Sequence, residues 1–256
     1  MSWAMRRRIL YLFGLLIFFG LLIGGPVLIL TYDPPTCHDG ILNQDETNID
    51  RGGPCLLLEE STLSPHAVLW TRAFQVREGA YDAIAYVENP NSGAGVQSAG
   101  YSLKLYDSEN VIVAEREGRM FIMPGGITPI FFGSIPTGNR AVTRAFFCFT
   151  DNPPSCERKP TLTWHRMNNV GHDITVSNRS ITDSGTMPRV SAKVTNTSVR
   201  DLREIRFVVV VFDPAGNAFA SSQTEVDRLN ANEEKEIVFT WPQPFTVTVG
   251  RVDIVP

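Results

Sequence analysis

The apolar positions of this chain fall into two regimes. From Ile9 to Leu30 there is no charged residue, and 16 of 22 positions are Leu, Ile, Phe or Val. As a helix rising about 1.5 Å per residue, the run is about 33 Å long, enough to cross a hydrocarbon core of about 30 Å. Each such side chain contributes about −0.3 to −0.6 kcal/mol to insertion, which outweighs the cost of Gly14, Gly20, Gly24, Gly25 and Pro26. A cleaved secretory signal shares this layout, but its apolar core is about 7–15 residues and ends in a small-x-small site. "GGPVLILTYDPP" offers no such site, and no Leu-rich box runs directly into a Cys. We therefore expect an uncleaved transmembrane anchor over 9–31 behind a basic tail, 1–8. Arg6, Arg7 and Arg8, with no acidic residue before Asp33, place the N-terminus in the cytoplasm and everything from Tyr32 outside.

Beyond "YDPPT", a stiff exit because proline fixes φ, the pattern becomes β-like. The runs "YDAIAYVEN", "YSLKLYD", "VIVAE", "VSAKVTN", "FVVVVFD", "EIVFTW" and "FTVTVGRVDIV" are short, β-branched or aromatic, and bounded by turn residues. In "RVSAKVT", Val190, Ala192 and Val194 face one way and Ser191, Lys193 and Thr195 the other. "FVVVVF" (207–212) is apolar on both faces, as a central sandwich strand would be. Past residue 31 no amphipathic helix is evident.

Landmarks recur at a nearly constant offset. Asn89 and Asn196 each end a run, Asp107 and Asp213 each follow one, and Pro136 and Pro242 each close one. We expect two copies of one β module, 62–160 and 161–256, after a juxtamembrane loop and linker, 32–61. Asn and Asp suit strand ends because they cap turns and tolerate the left-handed conformation. Pro214 and Gly216 suit a tight turn in "FDPAGN". Several short strands per copy predict an immunoglobulin-like sandwich. The fold class is thus all-β, an N-terminal transmembrane helix followed by two tandem Ig-like antiparallel β-sandwich domains. Trp70, Trp164 and Trp241 are expected to be packing aromatics.

Charge follows from location. Without Arg6, Arg7 and Arg8, 23 Lys+Arg become 20 against 27 Asp+Glu, so the exterior carries a net −7. Such a surface has no electrostatic footprint for nucleic acid. An exterior setting also permits disulfides among Cys37, Cys55, Cys148 and Cys156, for which three connectivities exist. Cys148 and Cys156 enclose a Pro-rich turn that a local disulfide would close.

Two resemblances attach to these residues. Asn89 with Leu105, Tyr106 and Asp107, and Asn196 with Phe212, Asp213 and Gly216, resemble the FxLYD-type domain of bacterial surface proteins. That resemblance implies an Ig-like sandwich outside the membrane, with no catalytic residues to transfer. Plant stress proteins with one N-terminal anchor and a late-embryogenesis-type sandwich have a similar plan but lack the opening loop. That loop, "CHDGILNQDETNIDRGGPC", resembles a Cys-rich motif of bacterial exported proteins, C-x-D-G-x-x-N-x-x-E-x-x-x-D-C-G-G-x-C. Arg51 stands where the middle Cys is expected, which leaves Cys37 and Cys55 as an even pair able to close the loop. Closure would stabilise by about 3 kcal/mol in the entropic account.

Asp39, Asn43, Asp45, Glu46 and Asp50 offer hard oxygen ligands, and Gly40 permits a sharp turn, so the loop is a candidate Ca2+ site without EF-hand spacing. The alternative is a solvated acidic loop held by one disulfide. His38, His66, His165 and His172 show no metal-enzyme spacing, and the last two read as linker residues. "GAGVQSAG" (93–100) fits neither a phosphate loop nor a nucleophile elbow and reads as a flexible hairpin loop. The expectation is a non-enzymatic, single-pass surface protein that binds an envelope protein or polymer. The alternative is an accessory subunit of an envelope secretion or assembly complex acting through its helix, where Gly20-x-x-x-Gly24 would allow close packing.

Overall fold

The computed structural model describes the chain except residues 1, 2, 33, 152–155, 157–160 and 169, and the side chains at 170 and 172. It divides into two compact units, Met1–Pro54 and Cys55–Pro256. In the first, the whole apolar run and the arginines before it form one helix, α1 (Trp3–Thr31). An 18-residue stretch within it has a mean hydropathy of 2.5, and the helix is long and apolar enough to cross a membrane. Pro26 lies inside it without ending it, and Thr31 Oγ1 donates to Val27 O at 2.7 Å in the last turn. The expected helix gains residues at its N-terminal end, Trp3 to Arg8, with the Arg7 guanidinium 4.1 Å from the centre of the Trp3 ring.

The second unit is built from antiparallel strands. The first seven are β1 (Ala67–Arg77), β2 (Ala80–Asn89), β3 (Ala94–Tyr106), β4 (Ile112–Ile122), β5 (Gly126–Pro136), β6 (Arg144–Phe149) and β7 (Trp164–Arg166). The other six are β8 (Ile174–Thr182), β9 (Arg189–Asn196), β10 (Leu202–Phe212), β11 (Ala218–Leu229), β12 (Glu234–Thr240) and β13 (Arg251–Val255). Sheet β1-β2-β5 packs on sheet β4-β3-β6, with β7 added beside the start of β3. Sheet β8-β9-β12 packs on sheet β11-β10-β13. The second sandwich therefore has the strand order of the first with every number advanced by seven.

Side-chain alternation fills three apolar layers rather than two. Tyr81, Ala83, Ala85 and Val87 of β2 enter the first sandwich core with Leu103, Leu105 and Phe147. Phe207, Val209 and Val211 of β10 enter the second with Val190, Val194 and Phe239. The opposite faces of the same two strands meet each other: Ile84 and Tyr86 of β2 pack with Val208, Val210 and Phe212 of β10. Trp70 stacks on Tyr86 at 4.3 Å, and Arg72 Nη1 donates to Ala218 O at 2.9 Å across this seam. The two sandwiches are thus one four-layered block, which explains why "FVVVVF" has no polar face. The outward faces end the stack with charge. Lys104 pairs with Glu115 at 3.2 Å on the first sandwich, and Lys193 pairs with Glu234 on the second.

Strand ends carry the expected turn chemistry. Asn89 and Asn196 are fully buried at the ends of β2 and β9. Asn89 Nδ2 donates to the carbonyls of Ala94 and Met123 at 2.7 and 2.8 Å. Asn196 Nδ2 donates to those of Arg200, Leu229 and Asn230 at 2.7, 3.1 and 3.0 Å. Asp107 Oδ1 accepts the amides of Glu109 and Val111, and Asp213 Oδ1 accepts that of Asn217. Gly216 has the positive φ, 83°, that its turn demands.

Three local expectations are corrected. "GAGVQSAG" is not a free loop, because residues 94–100 are the first half of β3. Small residues there serve close approach, since a Cβ on Gly95 would fall 2.8 Å from the Ile122 carbonyl oxygen. His165 is not in a linker, because it lies on β7 opposite Gly95, next to Trp164 buried in the first core. His172 has no described side chain. In "FTVTVGRVDIV" only Arg251–Val255 is a strand, while Phe245 and Val249 pack against the second core from an irregular segment after Pro242 and Pro244.

Candidate functional site

Two places hold the chemistry, one in each unit. The first is the Cys loop, where tight turns set the backbone before any ligand is considered. Gly40, Gln44, Asp45, Asp50, Gly52 and Gly53 all have positive φ, and a Cβ on Gly53 would lie 2.6 Å from Asp45 O. Such a path exposes amides that must be satisfied, and the acidic side chains turn inward to accept them. Asp39 accepts Thr36 N, Ile41 N and Asn43 Nδ2, each at 2.9 Å. Asp50 accepts Gly40 N at 3.2 and 3.1 Å through its two oxygens. Glu46 Oε2 accepts Asn43 N at 3.3 Å and Asp50 N at 3.2 Å. The Thr36 amide, then the Asn43 side chain and the Ile41 amide, hold the Asp39 carboxyl below its ordinary value.

All four cysteines are oxidised. Cys148 bonds Cys156, with Cα atoms 5.7 Å apart, and Cys37 and Cys55 are disulfide-bonded as well. Of the five candidate calcium ligands, Asp39, Glu46 and Asp50 are engaged with loop amides, and Asn43 donates to Asp39. The internal scaffold of the loop thus uses Asp39, Glu46 and Asp50, while among the described residues the Asp45 carboxylate has no hydrogen-bond partner and Asn43 Oδ1 is buried without one.

The second place lies on the seam between the two sandwiches. A crevice of about 300 Å³ is lined by Phe74, Phe219, Trp241 and Phe245 together with the polar residues Gln75, Asp82, Ser221, Gln243 and Thr246. Register explains how two of these, Asp82 and Ser221, came there. Asp82 lies opposite Phe74 in the β1–β2 ladder, on the same face as Ile84 and Tyr86. Ser221 lies opposite Val210 in the β10–β11 ladder, so it faces the same apolar layer from the other sheet. A bulge in β5 lets β2 and β5 slip between Tyr81 and Ala83, and Ser134 takes a positive φ of 52° there. Asp82 Oδ1 accepts the Ser134 amide at 2.7 Å. Its other oxygen has no hydrogen-bond partner among the described residues.

Asp82 is 8% exposed and Ser221 1% exposed. Burial raises the Asp82 carboxyl above its ordinary value, against the smaller opposing effect of the Ser134 amide. Ser221 Oγ has no hydrogen-bond partner among the described residues, although Ser221 O accepts Trp241 Nε1 at 3.0 Å. The aromatic wall is ordered by edge contacts, Phe219 to Phe245 at 5.2 Å and Trp241 to Phe245 at 5.0 Å. The crevice thus brings a carboxylate, a hydroxyl-bearing residue and aromatic rings together. Sequence reasoning passed over Asp82 and Ser221. The signal for Asp82 was a lone charge in "AYDAIAYV", in phase with Ile84 and Tyr86.

Known proteins add little here. No family model matches the chain. No curated protein matches it either. Among solved structures it is similar to red sea bream transglutaminase at 9% identity, covering 70% of this chain and 28% of that one, with TM-score 0.22. A Bacteroides uniformis beta-glucuronidase is similar at 13% identity over 64% of this chain and 22% of that one, with TM-score 0.20. The chain spans about a quarter of the length of these structures, and TM-scores this low carry no argument about fold or activity.

Proposed function

We propose that this chain is a non-enzymatic, single-pass membrane protein. Its two extracytoplasmic sandwiches, two copies of one Ig-like module, act as a rigid binding and scaffolding block in the cell envelope. The observation that carries the reading is the apolar seam, which fuses two sandwiches into one block in a chain that begins with a membrane-length helix. Two sandwiches joined only by a linker would swivel, whereas a block presents its loops and edges in fixed relation. The two-copy reading is supported by the matching strand order and by the paired roles of Asn89 with Asn196 and Asp107 with Asp213. The resemblance of the YD-type turns to FxLYD domains fits the same reading. The loop between the anchor and the block serves as a stapled spacer, with Asp39, Glu46 and Asp50 accepting its own amides.

The test is protease access in intact cells to a tag placed after Pro256, combined with membrane fractionation. The reading expects full-length chain in the membrane fraction, resistant to alkaline carbonate, with the tag cleaved from outside. A tag protected until the membrane is broken, or a chain released without its helix, would sink the orientation or the anchor respectively.

A further inference from the structure

We propose that the crevice on the seam is a ligand site for an alkylammonium group, with Asp82 as its counter-ion, Ser221 as a second acceptor and Phe74, Phe219, Trp241 and Phe245 as its walls. The inference deepens the binding reading by assigning it a ligand chemistry. Three observations converge on a cation. The carboxylate is nine-tenths buried, yet among the described residues it has one amide for one oxygen and no Lys or Arg partner. A buried carboxylate without a counter-charge favours acquiring one. Across the seam, Ser221 lines the same crevice and its buried Oγ has no partner among the described residues, and an ammonium, which carries three donors, has one to offer it besides those that meet the carboxylate. The walls are aromatic, and ring faces attract cations while they shelter an aliphatic stem. A neutral alcohol could meet one polar group but would leave the carboxylate uncompensated, and an anionic ligand would be repelled. The Ser134 amide explains why Asp82 is tolerated in β2, but not why Ser221 Oγ is buried without a partner.

The source of the ammonium is either a lysine side chain of a partner or a small free amine, and the same experiment separates them. Full-length protein in lipid nanodiscs, with empty nanodiscs as blank, is titrated with n-butylammonium and with 1-butanol by calorimetry and ligand-detected NMR. The peptides acetyl-Gly-Lys-Gly-amide and its norleucine counterpart are titrated alongside. Butylammonium should bind at least tenfold more tightly than butanol, the preference expected of a charge-assisted hydrogen bond. Asp82→Asn should abolish that preference, and Ser221→Ala should weaken it severalfold while butanol binding stays unchanged. Ser221→Ala carries the test alone if Asp82→Asn misfolds through loss of its bond to Ser134. Binding of the lysine peptide with the same dependence assigns a partner side chain, and binding of butylammonium alone assigns a free amine. Equal affinity for butylammonium and butanol, or a preference that survives in both variants, would overturn the proposal. The anchored block would stand even then, because it is judged by fractionation and protease access.

Discussion

Replacing Val210 by Lys tests the seam directly. Val210 is fully buried between the sheets, facing Ile84 and Tyr86. In strand order its counterpart in the first sandwich is Lys104, which lies on an outward face and pairs with Glu115 at 3.2 Å. A lysine at this strand position is therefore compatible with the local β structure, and the substitution acts on the seam. Fully burying Ile84, Val208 and Val210 contributes roughly 1.5–3 kcal/mol each, hence about 5–9 kcal/mol together. That is comparable with the whole stability of an ordinary domain, so the wild-type block should unfold in one transition. A lysine at 210 would lie opposite Asp253, which already pairs with Arg251 at 3.1 Å, so burying its ammonium would still cost several kcal/mol of desolvation in addition to the lost valine contact. Opening the seam is then cheaper than burying the charge, and the two sandwiches should unfold separately. Calorimetry of the full chain in detergent is the assay. Wild type should give one endotherm whose calorimetric and van't Hoff enthalpies agree, and Val210→Lys two. Lys104→Ala serves as control and should shift the midpoint little, as exposed pairs contribute about 0–1 kcal/mol. Two endotherms in wild type, or a single one in Val210→Lys, would refute the coupled block.

Other outcomes follow from single groups. Asn89→Ala and Asn196→Ala each strand buried carbonyls, Ala94 and Met123 in one case and Leu229 among three in the other. Each should cost about 1–3 kcal/mol in denaturant unfolding, and a change below about 0.5 kcal/mol would remove these side chains from the fold's determinants. Burial raises Asp82 above 3.8, so in the window from there up to its folded value the folded chain holds the proton more tightly than the unfolded chain. Stability should fall as pH rises through that window, and Asp82→Asn should flatten this slope. An identical pH profile for the variant would count against the assignment. Asp39 acts oppositely, since its lowered value means stability lost as pH falls below 3.8. Because Asp39, Glu46 and Asp50 already accept loop amides, millimolar calcium or a chelator should leave the unfolding midpoint unchanged. A site filled at 100 Kd would add about 2.7 kcal/mol and would be plain to see. Exchanging 9–31 for an unrelated apolar helix should preserve binding by the block, while loss of function would favour the accessory-subunit alternative.

The fold was largely legible because its signals are local. Uninterrupted hydropathy marked α1, period-two alternation marked β9, and Asn or Asp at strand ends marked the turns. Misreadings occurred where a residue's role was set from outside its own segment. "GAGVQSAG" has the composition of a loop, but its glycines admit the Ile122 carbonyl and the β7 strand, neither of which is near in sequence. "FTVTV" has strand composition, yet two prolines precede it and its apolar residues pack from irregular backbone.

The seam itself left a signal that only a comparison between copies exposes. Under the two-copy reading, Ile84 and Tyr86 on β2 correspond to Ser191 and Lys193 on β9, and Ser102 and Lys104 on β3 correspond to Val208 and Val210 on β10. In each sandwich one sheet has an apolar outer face and the other a polar one, and the assignment is reversed between them. One copy alone shows ordinary alternation or an unusually apolar strand. Set side by side, they show why the β2 sheet of the first covers the β10 sheet of the second: among the described residues, these are the two outer faces of central strands that water would disfavour. Asp82 and Ser221 then stand out as buried polar groups on these two faces, whose other polar residues, Arg72, Arg251 and Asp253, are more exposed. Polar groups retained in such a layer are costly unless something bonds to them. That cost, set by the register of two strands far apart in sequence, is the physical reason for looking to this crevice for a ligand rather than to the more conspicuous acidic loop.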